Sequence, residues 1–161
     1  METLQIVQAD LDDAQHQAAV LDLTRSYARD PMGNNRDLAD DIQQFLIQRL
    51  RAHPTTLIFI AFDRDQAIGI ATCFIGFSTF AAQPLINIHD VHVIKAYQGR
   101  GVGRGLLEAV ERKARTLNCC KLTLEVRADN APALALYQRC GFVGGQYGAA
   151  PGSVLFCQKR L

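Results

Sequence analysis

Four glycines in eight residues distinguish the segment from Gln98 to Gly105, which reads QGRGVGRG. It lies between an apolar stretch, residues 86–94, and an amphipathic stretch, residues 106–117. Glycine has no side chain to pack, so this density indicates backbone that adopts positive φ or passes very close to another group. Two arginines alternate with the glycines. A basic, glycine-rich loop that opens a helix presents backbone N–H groups and the positive end of the helix dipole to an anion, so the segment predicts a phosphate-binding loop.

Length and composition favour one compact domain. The chain has 161 residues, of which 48% are hydrophobic and 20% charged, and we expect a single domain over residues 1–161. The most apolar run, residues 68–80, is too short to cross a bilayer, and the first residues lack the pattern of a signal peptide. We therefore expect a cytoplasmic protein with no membrane partner. The five cysteines have neither disulfide-framework nor metal-binding spacing, which indicates reduced, mostly buried thiols and no metal, with a reactive cysteine nucleophile as the alternative.

The net charge of +1 conceals two unlike halves. Residues 1–94 contain 6 Lys and Arg against 12 Asp and Glu, whereas residues 95–161 contain 11 against 4. Such a division suits an anion on the second half and a cation on the first, although solvated surface charge gives the same pattern. The overall balance argues against a nucleic-acid partner, for which a broadly basic domain is typical.

Periodicity and turn residues predict ten elements in the order β-α-α-β-β-β-α-β-α-β. Strands are predicted at residues 4–7, 56–62, 67–77, 85–94, 121–126 and 154–158, and helices at 12–29, 38–51, 103–117 and 131–139. Asp10 or Asp12 is the candidate cap of the first helix, and residues 63–66 are a hairpin turn by composition. The expected fold class is α/β, with a mixed, mostly antiparallel central sheet flanked by helices.

Three loop motifs compete for the glycine-rich segment. A P-loop requires a Gly-Lys-Ser/Thr end, which Gly103-Arg104-Gly105 lacks. A dinucleotide fingerprint requires a third glycine at position 106 and an early βαβ unit, and neither is present. The pattern Q/R-x-x-G-x-G/A is met by Gln98, Gly101 and Gly103. An apolar strand precedes it, and the residues Asp129-Asn130 and the sequence ALYQRCGF, residues 135–142, follow at matching spacing.

On these motifs the chain resembles the GNAT N-acetyltransferases, specifically over residues 57–145. Within that family it looks most similar to the diamine (spermidine/spermine-like) N-acetyltransferases. This rests on the strand His89-Asp90-Val91-His92-Val93, on the preceding residues 76–85 and on the position of Asn130 seven residues before Tyr137. The resemblance implies a single-domain GNAT-type fold and acetyl-CoA as co-substrate, and it also implies a homodimer.

The resemblance assigns the donor site residue by residue. The pyrophosphate of CoA would lie on backbone N–H groups of the loop, and its pantetheine arm would pair with a strand edge near Val91. Asn130 would bind that arm or would simply cap a helix, and Tyr137 would act as the acid for the leaving thiolate or would be a core residue. The cofactor-binding candidates are Val91, His92, Val93, Gln98, Gly99, Arg100, Gly101, Val102, Gly103, Arg104, Asn130 and Tyr137.

The general base is less defined. The catalytic candidates are Tyr137, His89 and Asp90. The diamine enzymes carry an acidic pair at the positions of His89 and Asp90, so Asp90 keeps their pattern and His89 departs from it. Strand alternation predicts that His89 faces away from Asp90 and His92. Either histidine could act as a base near neutral pH or could have a structural role.

The expected reaction is acetyl transfer from acetyl-CoA to a primary amine of a small molecule, namely a polyamine, an amino acid or an analogue. The acceptor pocket would lie among the first two helices and residues 74–85. It would be acidic through the aspartates at positions 12, 13, 37, 40 and 41, for which a solvated surface is the alternative. Acetylation of a protein lysine or N-terminus is the alternative, and a non-catalytic acyl-CoA-binding regulatory module is another.

Overall fold

A computed structural model describes residues 4–144, 150 and 152–161. The strands are β1 (Leu4–Gln8), β2 (Thr56–Asp63), β3 (Gln66–Ser78), β4 (Gln83–Val93), β5 (Lys121–Arg127) and β6 (Val154–Arg160). The helices are α1 (Ala14–Arg29), α2 (Asp40–Ala52), α3 (Val102–Thr116) and α4 (Ala131–Arg139). The predicted order of elements is confirmed, and most bounds agree within two residues. A short 3₁₀ turn at Lys95–Tyr97 was not predicted.

One six-stranded sheet, in the order β1-β2-β3-β4-β5-β6, organises the described chain. All neighbouring strands are antiparallel except β4 and β5, which run parallel. The α/β class with a mixed, mostly antiparallel sheet is therefore confirmed. The parallel pair is linked through α3, because a parallel connection needs a crossover rather than a hairpin.

Each face of the sheet carries its own apolar core. Buried residues of α3 and α4 pack on one face with Ile86 and Leu124 among others. On the other face α1 contributes Ala19, Val20 and Leu23 to a smaller core with β2 and β3. The alternation of apolar residues along the strands thus serves both faces, which is why the central strands are so uniformly apolar.

Helix starts depart slightly from prediction. Asp13, not Asp10 or Asp12, caps α1, because its side chain accepts from the His16 N–H at 2.9 Å. Asp10 instead accepts from the backbone N–H of Asp12. No helix in the described part of the chain is both long and apolar enough to span a bilayer.

Strands β4 and β5 separate part of the way along their length. Their pairing covers only Ile86 to Ile88 against Leu122 to Leu124, yet β4 continues to Val93 and β5 to Arg127. The register between β3 and β4 shifts at the same level, where Thr72 opposes Asp90 and Cys73 opposes Ile88. A bulge of this kind bends a strand and increases its twist, so it accounts for the separation. We call the space between residues 89–93 and 125–127 the β4–β5 gap.

Candidate active site

The glycine-rich loop connects the end of β4 to α3. Gly99 and Gly101 have φ values of +73° and +84°, and a Cβ added at either would meet nothing within 4 Å. A lack of space therefore does not explain why these two residues are glycines. The left-handed backbone conformation does, because glycine adopts it without steric cost. Gly101 is the N-cap of α3 and supplies no capping side chain, so the first N–H groups of α3 are left for another acceptor.

The other two glycines allow α3 to approach its neighbours. A Cβ at Gly103 would lie 3.0 Å from Leu136 Cδ2 of α4, and one at Gly105 would lie 2.7 Å from Ile6 Cδ1 of β1. Half of the glycine density in this segment thus serves internal packing. The remaining half shapes the anion-binding turn that the sequence predicts.

Side chains of the loop are engaged locally. The Arg100 guanidinium stacks over the Tyr97 ring at 5.4 Å, and Arg104 forms an exposed ion pair with Glu108 at 2.8 Å. Gln98 Nε2 donates to the Val93 carbonyl at 2.9 Å, which ties the start of the loop to the end of β4. Binding of an anion here therefore relies first on backbone N–H groups, and the arginines add charge at the rim.

The edge of β4 presents backbone groups to the gap. The N–H of Ile94 donates to Ile68 on the β3 side at 3.0 Å. Backbone groups in a strand alternate between the two neighbours, so Val93 and Val91 direct their N–H and C=O groups away from β3. Val91 and Val93 thus line the gap, and their pairing with a pantetheine arm stays a prediction. The backbone N–H and C=O groups of His92 point toward β3 instead, so His92 does not line the gap.

The bulge reverses the expectation for His89. Its ring lies 5.7 Å from that of Phe74. Phe74 shares a face of β3 with Thr72, the residue opposite Asp90. The prediction that His89 faces away from Asp90 was wrong, because the extra residue of the bulge interrupts the alternation. His89 and Asp90 lie together on the α1 and α2 face, and His89 is exposed whereas Asp90 is mostly covered.

Asp90 is a partly buried carboxylate on the strand that borders the gap. Burial raises the pKa of its carboxyl above the ordinary value, while the neighbouring His89 acts in the opposite direction. A carboxylate that is desolvated in this way is a stronger base than one on the surface.

His92 is a buried residue beneath α1. Its Nε2 lies 2.9 Å from the Ser26 hydroxyl, and its ring is 5.4 Å from that of Tyr27. Burial lowers the pKa of His92, so the neutral imidazole is favoured. These contacts fix α1 against β4. They correspond to the structural role that the sequence left open as the alternative to a general base.

Tyr137 lies on α4 at the other side of the gap. It is 8% exposed and packs against Phe142, with ring centroids 5.8 Å apart. Burial is the main cause that raises the pKa of Tyr137, and the charges of Tyr27 and Asp90 add to it. Those two residues belong to the opposite face of the sheet, so their charges act on Tyr137 across it. Its phenol is therefore firmly neutral.

Asn130 acts as a helix cap. Its side-chain oxygen accepts from the Ala133 N–H at 3.2 Å and begins α4. Asn130 thus has the helix-capping role that the sequence offered as an alternative. The capping bond uses the side-chain oxygen and does not involve the amide nitrogen. Any contact of Asn130 with a pantetheine arm stays a prediction.

Residues that the sequence did not single out complete the surroundings of the gap. Tyr27 is partly buried close to Asp90 and Asp30, and burial raises its pKa. Arg127 forms an ion pair with Asp129 at 2.7 Å and also reaches the Pro31 carbonyl at 3.4 Å, which connects the end of β5 to the α1–α2 loop. Tyr27 had no local signal, since in the sequence it is one more residue of an amphipathic helix.

The expected acidic acceptor pocket does not assemble. Arg25 and Arg29 hold Asp37 at 2.8 and 3.0 Å, and the pKa of Asp37 is lowered chiefly by its hydrogen bond to Arg25. Asp12 pairs with Arg51, and Asp13 is used as the helix cap. Asp40 and Asp41 begin α2, where they favour the helix dipole. The five aspartates of the expected pocket are thus engaged in ion pairs or lie at helix starts.

Comparison with known proteins agrees with this geometry. The sequence model of the Acetyltransferase (GNAT) family matches residues 19–142, and the chain belongs to that family. The N-alpha-acetyltransferase MAK3 of Arabidopsis thaliana is 33% identical over 87 residues, which cover 54% of this chain and 45% of that protein. The streptothricin acetyltransferase of Streptomyces lavendulae is 33% identical over 91 residues, covering 56% and 46%. The chain therefore spans less than half the length of these curated relatives.

A solved structure shows the same fold over nearly the whole chain. A chain of the NatC complex bound to Gag peptide and CoA aligns with a TM-score of 0.73 at 19% identity, covering 98% of both chains. This likeness shows the fold.

Replacement of Gly101 by alanine should weaken binding of CoA. A side chain in the left-handed region costs about 1–2 kcal/mol, so the turn shifts and affinity falls by roughly 5- to 30-fold. Calorimetric titration with CoA measures this effect. Gly76→Ala, in β3 and without positive φ, is the matched control. Equal affinities of the Gly101 variant and the wild type would contradict the assignment of the loop.

Proposed function

We propose that this protein is an acetyl-CoA-dependent N-acetyltransferase that transfers the acetyl group to a primary amine by direct attack on the thioester. The observation that carries the proposal is the β4–β5 gap. It has the glycine-rich turn at one end, backbone groups of Val91 and Val93 along its edge, and Asp90 and Tyr137 on its two sides.

The donor fits the gap by its shape and its chemistry. The N–H groups of the turn and the first turn of α3 suit the pyrophosphate of CoA. The edge of β4 lacks a strand partner beyond Ile88, so it suits the amides of the pantetheine arm, which would pair as an added strand does. The Val91 N–H is then placed to donate to the thioester carbonyl.

Asp90 is the best-placed base for the acceptor. An aliphatic amine with a pKa near ~10 is mostly protonated at neutral pH and must lose a proton before it attacks. Asp90 takes that proton, and the neutral amine attacks the carbonyl carbon of the thioester. The C–N bond forms and the C–S bond breaks, and CoA leaves as the thiolate. The second proton on the attacking nitrogen passes to that thiolate, which gives the amide and the free thiol. His89 stands beside Asp90 at the surface and is the second candidate for taking the first proton.

Tyr137 serves the leaving group as a neutral donor. Its raised pKa makes complete proton transfer to a thiolate unfavourable, since a thiol titrates near ~8.5. A hydrogen bond from the phenol to the sulfur stabilises the developing charge without that transfer. The intact tyrosine favours an enzyme over the alternative of a non-catalytic acyl-CoA-binding module.

The acceptor is a primary amine of a small molecule or of a polypeptide. The names of MAK3 and of the mycobacterial RimI, an N-alpha-acetyltransferase that is 48% identical over 56 residues, favour a protein N-terminus. These residues cover 35% of this chain and 34% of that protein. The streptothricin acetyltransferase favours a small amine. Ion pairing of Asp12 and Asp37, which lie beside α1 and α2, weakens the polyamine assignment.

Cytoplasmic location, homodimer formation and the absence of a metal stay predictions from the sequence.

An amine panel tests the proposed function. We expect acetyl-CoA to bind in calorimetry and to release thiol in the presence of at least one primary amine, whether a small amine, an amino acid, a polyamine or a peptide with a free N-terminus. Binding without thiol release for every amine would favour the regulatory module, and no binding of acetyl-CoA would refute the proposal.

Replacement of Tyr137 by phenylalanine should lower kcat by about 100-fold, the usual effect of losing one preorganised donor. Affinity for acetyl-CoA should be unchanged, because the ring still packs against Phe142. Steady-state kinetics together with calorimetry separate the two quantities. Tyr97→Phe is the control, since the Tyr97 ring contacts Arg100 at the rim of the loop. An unchanged kcat would remove Tyr137 from the chemistry.

Replacement of Asp90 by asparagine should remove the acidic limb of the pH profile of kcat/KM. The active form is the carboxylate, so wild-type activity falls as the pH drops through the pKa of Asp90, which burial places above the ordinary value near ~3.9. The rate of the variant should fall by about 10²- to 10⁴-fold. His89→Gln is the comparison. Loss of the limb in that variant instead would make His89 the base.

A further inference from the structure

An apolar cavity lies between α2 and the sheet. It opens to solvent, has a volume of about 420 Å³ and is lined by Ile42, Leu46, Arg49, Leu50, His53 and Phe74. This volume falls within the usual range of small-molecule sites. Helix α2 has no fully buried residue although it carries an apolar face. Since an amphipathic helix ordinarily buries that face against the core, α2 leaves part of its apolar surface facing this cavity.

A row of three aromatic rings connects the cavity to the side of the gap where His89 and Asp90 lie. The His53 ring meets the Phe74 ring edge-on at 5.3 Å, and Phe74 meets His89 edge-on at 5.7 Å. His89 is the bulge residue next to Asp90. An amine held at Asp90 could therefore extend over His89 and Phe74 into the cavity without crossing the sheet.

The lining of the cavity selects the kind of group that enters. It contains no carboxylate, and its one permanently charged member is Arg49, which lies over the Phe45 ring at 5.1 Å. An ammonium group in this place would be desolvated without a counter-ion and would face Arg49, which is costly. An aromatic ring or an aliphatic chain would bury apolar surface and would contact Phe74.

We propose that this cavity is the specificity subsite of the acceptor and that it takes an uncharged, apolar part of the amine. The proposal rests on the proposed function and names its substrate class: primary amines that bear an aromatic or aliphatic group, in preference to diamines and polyamines. The amine lies at Asp90 and the apolar group lies between α2 and Phe74.

Two amines of similar length test the subsite. We expect kcat/KM for 2-phenylethylamine to exceed that for 1,4-diaminobutane by roughly 10-fold or more, the gain expected from burying most of an aromatic side chain. Phe74→Ala and Leu46→Lys should abolish this preference. Phe77→Ala should keep it, because Phe77 is 63% exposed on the same strand and is not part of the cavity lining. Thermal unfolding of each variant verifies that it is folded.

The outcomes separate the subsite from the proposed function. A preference for the diamine, or a preference for 2-phenylethylamine that survives both cavity substitutions, would overturn the subsite while leaving the acetyltransferase in place. Peptides that begin with Phe or Ser, compared in the same assay, show whether the apolar part belongs to a small amine or to the first residue of a polypeptide.

A binding measurement covers the case in which no amine is acetylated. Ligand-observed NMR of 2-phenylethylamine with the CoA-loaded protein detects occupation of the cavity without turnover. Binding that is lost in Phe74→Ala and kept in Phe77→Ala supports the subsite even if the proposed function fails. No binding to the wild-type protein overturns it.

Discussion

The separation of β4 from β5 is the constraint on which the rest of the structure depends. One extra residue at His89 bends β4 away after three paired residues. On the β5 side it leaves the backbone groups of Val91 and the N–H of Val93 without a strand partner among the described residues, whereas the Val93 carbonyl accepts from Gln98 Nε2. An unpaired buried backbone group costs about 1–3 kcal/mol, so folded proteins keep such an edge only where something else pairs with it. Under the proposed function, the amide-bearing arm of CoA would meet that need, and the glycine-rich turn would hold the phosphates attached to it.

The same bulge determines the chemistry beside the gap. By interrupting the alternation it places His89 and Asp90 on one face, and it leaves Val91 with its backbone directed to the gap. Charges elsewhere are mostly paired: Asp37 is held between two arginines and Glu111 between Arg115 and Lys159. Such partly exposed pairs at the surface contribute little to stability. Asp90, in contrast, is desolvated next to Tyr27 and near Tyr137, and that contrast singles it out among the carboxylates.

Much of the fold could be predicted from local pattern. The bounds of α4 match the prediction, and the turn between β2 and β3 falls at Arg64-Asp65 as its composition indicates. Long-range features were less accessible. The alternation rule failed at His89, because a bulge is set by pairing with β3 and has no marker of its own in the sequence. The acidic surplus of the first half was overestimated as a cation site, because ion pairs such as Arg25 with Asp37 join residues twelve positions apart.

What the sequence by itself determined is the donor half of the protein. The loop motif, the strand before it, Asn130 and Tyr137 follow one another at spacings that are local, and local spacing survives without knowledge of the fold. Only the tertiary structure decided the acceptor half. The position of Asp90 beside the gap, the burial of His92 under α1 and the apolar cavity beneath α2 depend on which helices cover which strands. That arrangement is set by packing between residues distant in the chain, and no short motif records it.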